Sequence, residues 1–107
     1  MAKHKESRKP KLATKFQLGA KNYTVELADQ STTNLGRSLS FLCKIEIQTT
    51  WEGREVPLDS RKQTLCHEVV HCIFDDIGRN DLAGDEALVQ SFAALMHQFM
   101  ETNDGHR

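Results

Sequence analysis

The sequence predicts an α+β domain: a small twisted antiparallel sheet packed on two helices. Three observations carry this expectation. Two stretches alternate apolar and polar residues, a stretch from about Ser60 to Ile77 carries helix start and stop signals, and a run after Asp85 repeats its apolar residues at helical spacing. A chain of 107 residues holds one domain with a modest core.

Residues 1–15 are basic. Lys3, Lys5, Arg8, Lys9, Lys11 and Lys15 stand against Glu6, a net of +5, which leaves −6 for the rest of a chain whose formal charge is −1. This composition predicts a disordered tail, followed by a single domain over 16–102 and a disordered C-terminus over 103–107. The tail is a candidate for contact with nucleic acid or an acidic partner surface, or serves solubility alone. The acidic remainder speaks against the folded body reading DNA. The start lacks the apolar stretch of a secretory signal, and no run approaches the ~20 apolar residues of a membrane span.

The strands come next. Tyr23, Val25 and Leu27 alternate with Asn22, Thr24 and Glu26, and Cys43, Ile45, Ile47 and Thr49 alternate with Lys44, Glu46, Gln48 and Thr50. Each has one apolar face to lay on helices. Ser31-Thr32-Thr33-Asn34 and Trp51-Glu52-Gly53-Arg54 read as turns.

In the first helix, Ser60 and Gln63 form a capping-box pattern and Gly78 fits a helix stop. Within it lies His67-Glu68-Val69-Val70-His71. Residues four apart on a helix share a face, so His67 and His71 present two imidazoles to one point, as a zinc site requires. Glu68 is turned by about 100° from His67 and stands beside that point, where a carboxylate can take a proton from a zinc-activated water. The plainer reading is a pair of buried histidines bonded to backbone, with Glu68 solvated.

A catalytic zinc needs a third protein ligand. Asp85 to Met100 reads as an amphipathic helix with Val89, Phe92, Ala93, Met96 and Met100 as its core stripe. Glu86 opens that helix at the edge of the stripe and is the leading candidate; its plainer role is an acid favoured by the helix dipole. His97 is the fallback, and Asp75, Asp81 and Asp85 rank below. At 1.5 Å rise per residue, Glu86 and His97 are roughly 16 Å apart, too far to share one ion. Tyr23 and His97 are the candidates to polarise a developing oxyanion, Tyr23 reading foremost as a packing residue. Cys43, Cys66 and Cys72 read as small buried thiols in a reducing, cytoplasmic compartment.

Gln63-Thr64-Leu65-Cys66-His67-Glu68-Val69-Val70-His71 resembles the core motif of the ImmA/IrrE-type metallopeptidases, found in phages, mobile elements and bacteria. Glu86, Val89, Phe92 and Ala93 resemble the acidic start of the family's next helix, and Lys44-Ile45-Glu46-Ile47-Gln48 its edge strand. The likeness spans roughly Leu39 to Met100. It implies a minimal zincin-like fold, Zn2+ held by His67, His71 and Glu86, and Glu68 as general base. The implied function is a zinc-dependent peptidase acting on a protein or peptide in the cytoplasm, the host's if the chain is phage-encoded. The strand at Ile45–Thr49 would then offer an edge for an extended substrate. The alternative is a non-catalytic, metal-stabilised regulator that acts on a host or repressor protein by contact; a fourth protein ligand closing the site would favour it.

Overall fold

The computed structural model describes residues 12–29 and 34–105. The basic tail as far as residue 11, Ser31 to Thr33 of the expected turn, and residues 106–107 lie outside them. The strands are β1 (Lys15–Leu18), β2 (Lys21–Ala28), β3 (Gly36–Leu39), β4 (Lys44–Gln48), β5 (Thr50–Trp51) and β6 (Arg54–Glu55). The helices are α1 (Leu58–Asp76), the short α2 (Asn80–Ala83) and α3 (Glu86–Thr102), and a single 3-10 turn at Ser40–Leu42 precedes β4.

The α+β class is borne out, but the sheet is mixed rather than antiparallel. Its order is β1-β2-β4-β3, with β2 and β4 parallel and the other two pairings antiparallel. The cause is β3. Gly36-Arg37-Ser38-Leu39 has neither alternation nor β-branched residues, so it carries no strand signal. Its presence adds one chain reversal between β2 and β4, which turns β4 parallel to β2. It also makes β4 an inner strand: the substrate edge expected at Ile45–Thr49 is covered, and β3 is the open edge on that side.

Tyr23 and Val25 of β2 and Ile45 and Ile47 of β4 point to one face and form the main core with Cys72 of α1. Leu27, the third apolar residue of its series, is 57% exposed. At ~1.5–3 kcal/mol per buried large apolar side chain, this cluster is the chief source of stability. The opposite side of α1 packs on α3 through Val70, Val89 and Ala93. Helix α1 is thus a middle layer between sheet and α3, and the sheet covers one helix rather than the pair. Phe92, Met96 and Met100, expected in the core stripe of α3, are 44%, 39% and 48% exposed.

The boundaries shift for local reasons. Helix α1 starts two residues before Ser60, with Pro57 at the cap position and Asp59 in the first turn; the Gln63 amide bonds the Asp59 carboxylate at 3.2 Å instead of closing a capping box. Its end is as expected. Gly78 takes φ +81°, Arg79 N–H donates to Phe74 O and Gly78 N–H to Asp75 O, a Schellman stop. Glu52 and Gly53, at φ 52° and 80°, form the two-residue hairpin turn between β5 and β6 within the expected Trp51–Arg54 turn. The tail boundary at 15 is corrected: Thr14 O already accepts from Val25 N–H at 2.8 Å, and Lys15 opens β1. At the other end Asn103 to Gly105 form a turn, with Asn103 Oδ1 accepting from Gly105 N–H, so order extends past 102. No helix among the described residues is long and apolar enough to cross a membrane.

Candidate metal centre

Helices α1 and α3 run antiparallel, with Lys62 paired to Glu101 at one end and His71 reaching Glu86 at the other. Asp85 caps α3, its Oδ1 accepting from Leu88 N–H at 3.1 Å, so Glu86 is the first helical residue and its side chain faces α1. One carboxylate oxygen lies 3.2 Å from His67 Nε2 and the other 3.2 Å from His71 Nε2. The ligand-type atoms of His67, His71 and Glu86 all lie within 4.8 Å of one another, a group able to hold a metal ion. The two rings sit 5.0 Å apart with planes at 63°, both aimed at the same point. Glu86 is 70% exposed, which leaves the centre open to solvent.

His71 is held from behind. Its Nδ1 lies 2.6 Å from the Ala83 carbonyl oxygen. That acceptor requires a proton on Nδ1, which leaves the Nε2 lone pair facing the centre, the arrangement common among metal-bound histidines. Ala83, the last residue of the short α2, carries this carbonyl. No sequence signal marks it, because a backbone acceptor carries no residue identity.

Glu68 is 8% exposed and stands where α1 meets β3. Burial pushes its carboxyl above the ordinary value, opposed by His71, His67 and Ser38. Gly36 makes this closeness feasible: a Cβ there would run into Thr64 Cγ2 and lie 3.3 Å from Glu68 Cγ. Neither Ser38 nor Gly36 was singled out from sequence, although a glycine within a strand is a mark of close backbone approach. A groove of ≈ 370 Å³ lined by Asn34, Gly36, Gln63, His67, Glu68 and Gln90, among others, opens beside the centre.

The rival residues lie elsewhere. His97 Nε2 contacts Asp59 Oδ1 at 3.4 Å, Asp75 accepts from Ser40 Oγ, and Asp81 pairs with Arg79 at 2.8 Å. Cys66 faces the Ala93 carbonyl and Cys72 the sheet core, on opposite sides of α1. Tyr23 is fully buried and stacks on Phe16, which removes it as an oxyanion partner. No family model matches the chain, no curated protein matches it, and no solved structure matches it.

Proposed function

We propose that the protein is a zinc-dependent peptidase of minimal zincin-like architecture, with His67, His71 and Glu86 as metal ligands and Glu68 as general base. One observation carries the reading: two imidazole Nε2 atoms and a carboxylate converge within 4.8 Å. Two histidines and one acid are a donor set typical of catalytic rather than structural zinc, which leaves a coordination position for water. The cysteines that would close a structural site are turned away into α3 and the sheet. Bound there, zinc supplies Lewis-acid polarisation of a carbonyl and acidifies water.

The chain's own groups supply the rest. Glu68 accepts the proton of the attacking water and returns it to the leaving amine; burial makes it a stronger base than a solvated carboxylate. Ser38 on β3 favours its charged form. Gln48 N–H donates to Leu35 O, so by antiparallel alternation Leu35, Arg37 and Leu39 bond into β4. The backbone groups of Gly36 and Ser38 then point to the open side of the sheet, beside Glu68. An extended peptide adding there would pass the metal, so β3 replaces Ile45–Thr49 as the substrate edge. Free thiols at Cys43, Cys66 and Cys72 fit a cytoplasmic setting.

The test uses zinc-loaded protein and a pool of unstructured fluorogenic peptides. The wild type should cleave, and a chelator should stop it. Glu68→Gln should keep one zinc per chain yet lose about 10²–10⁴-fold in rate, the usual contribution of a general base. A wild type that binds zinc and leaves every peptide intact would overturn the peptidase reading in favour of a metal-stabilised protein acting by contact.

A further inference from the structure

We propose that the outward face of α3 is the docking surface for a second copy of this chain, which closes a two-fold dimer. Leu88, Phe92, Leu95 and Phe99 follow one another at spacings of four, three and four, the seam pattern of paired helices. This seam differs from the stripe that packs on α1, which runs through Val89 and Ala93. Leu88 is half-buried, and Phe92, Leu95 and Phe99 are 44%, 67% and 61% exposed, with Met96 at 39% alongside. Phe92 is already braced edge-on by Phe74 at 6.0 Å, so the seam includes a preset aromatic anchor.

The area fits a copy of itself. With about 200 Å² for a fully exposed large side chain, these residues leave on the order of 400 Å² of apolar surface per copy. Two copies contribute roughly 800 Å², and the flanking Ser91 and Gln98 bring the total to about the ~1,000 Å² expected of a specific interface.

Chemistry selects the occupant. From Ala87 to Met100 there is no Asp, Glu, Lys or Arg, so the face offers no charge for a charged partner to read, and its best complement is an equally neutral seam. The whole of α3 lacks Lys and Arg, which a helix lying on an anionic lipid surface needs. By 100° steps the seam lies on the side of α3 roughly opposite Glu86 and Gln90, so pairing leaves the metal centre open.

Analytical ultracentrifugation of the full chain tests this. The 12.1 kDa chain should sediment at twice that mass in the micromolar range. Leu95→Glu, which puts like charges opposite each other at the seam, should raise the dimer dissociation constant by about 100-fold or more while leaving the helical signal intact. Phe41→Glu, at an 81% exposed apolar site on the 3-10 turn, should leave the dimer unchanged. A wild type that is monomeric throughout the range, or a Leu95→Glu protein that stays dimeric, overturns the proposal.

Discussion

Gly36 of β3 and Thr64 of α1 meet so closely that the space between them cannot take a methyl group. The same contact sets the distance from the open strand to Glu68. Gly36→Ala should therefore cost about 1–3 kcal/mol, the usual range for overpacking, read as a lower urea midpoint. Because the strand has to move away from Glu68, peptide cleavage should fall further than the stability loss explains. A variant with wild-type stability and rate would show that the strand yields without consequence.

Glu86 should outrank every other acid or histidine outside the motif in metal retention. Loss of an outer supporting partner typically costs ~10–100-fold in metal affinity, and Glu86→Ala should exceed that range in a competitive zinc titration. His97→Ala, which removes a contact to Asp59 and no ligand, should leave zinc affinity unchanged. Equal losses from both variants would remove Glu86 from the ligand set.

Zinc should stabilise the fold through α1 and α3, since its proposed ligands come from both. A free metal concentration 100 times the dissociation constant adds about 2.7 kcal/mol. Thermal unfolding should move up with zinc and back with chelator, and neither shift should appear in a His67→Ala, His71→Ala double variant. A persistent shift in that variant would assign the stabilising ion to another place.

Tyr23 gives a prediction at high pH. Burial is the main cause that lifts its phenol from 10.0 to about 12. The unfolded chain loses this proton first, so it binds fewer protons than the native state between those values, and stability falls as pH rises through that window. The contribution is complete below pH 10 and gone above the native value. As the sole tyrosine, Tyr23 can be followed by tyrosinate absorbance, which should rise near pH 12 in native protein and near 10 in urea. Tyr23→Phe should flatten the pH dependence of stability, and its buried hydroxyl has no strong hydrogen-bond partner to lose.

The sequence made some elements legible and hid others for identifiable reasons. Tyr23, Val25, Ile45 and Ile47 alternate, and their strands were readable because a half-buried strand must alternate. The glycine at 78 marked the end of α1 because few other residues accept its φ of +81°. Glu86 was readable as the acid opening the next helix, and it lies beside both imidazoles. Strand β3 was invisible: its residues pack through a glycine's missing side chain and through backbone pairing to β4, neither of which leaves a hydrophobic pattern. Missing it reversed the orientation assigned to β4 and misplaced the open edge. Ser38 stayed hidden with its strand, and Phe92, Met96 and Met100 misled because helical spacing reports a shared face without saying what covers it.

Backbone support for His71 has a further consequence. Any small residue at position 83 can present the same oxygen, so side-chain replacement there should do little, and the sensitive variable is how many links join Gly78 to Asp85. One residue added or removed would swing the acid that follows by about 100° around its axis and draw the carbonyl off the ring. The connector works as a measuring stick, and its length, more than its lettering, is what keeps the three donors on a common focus.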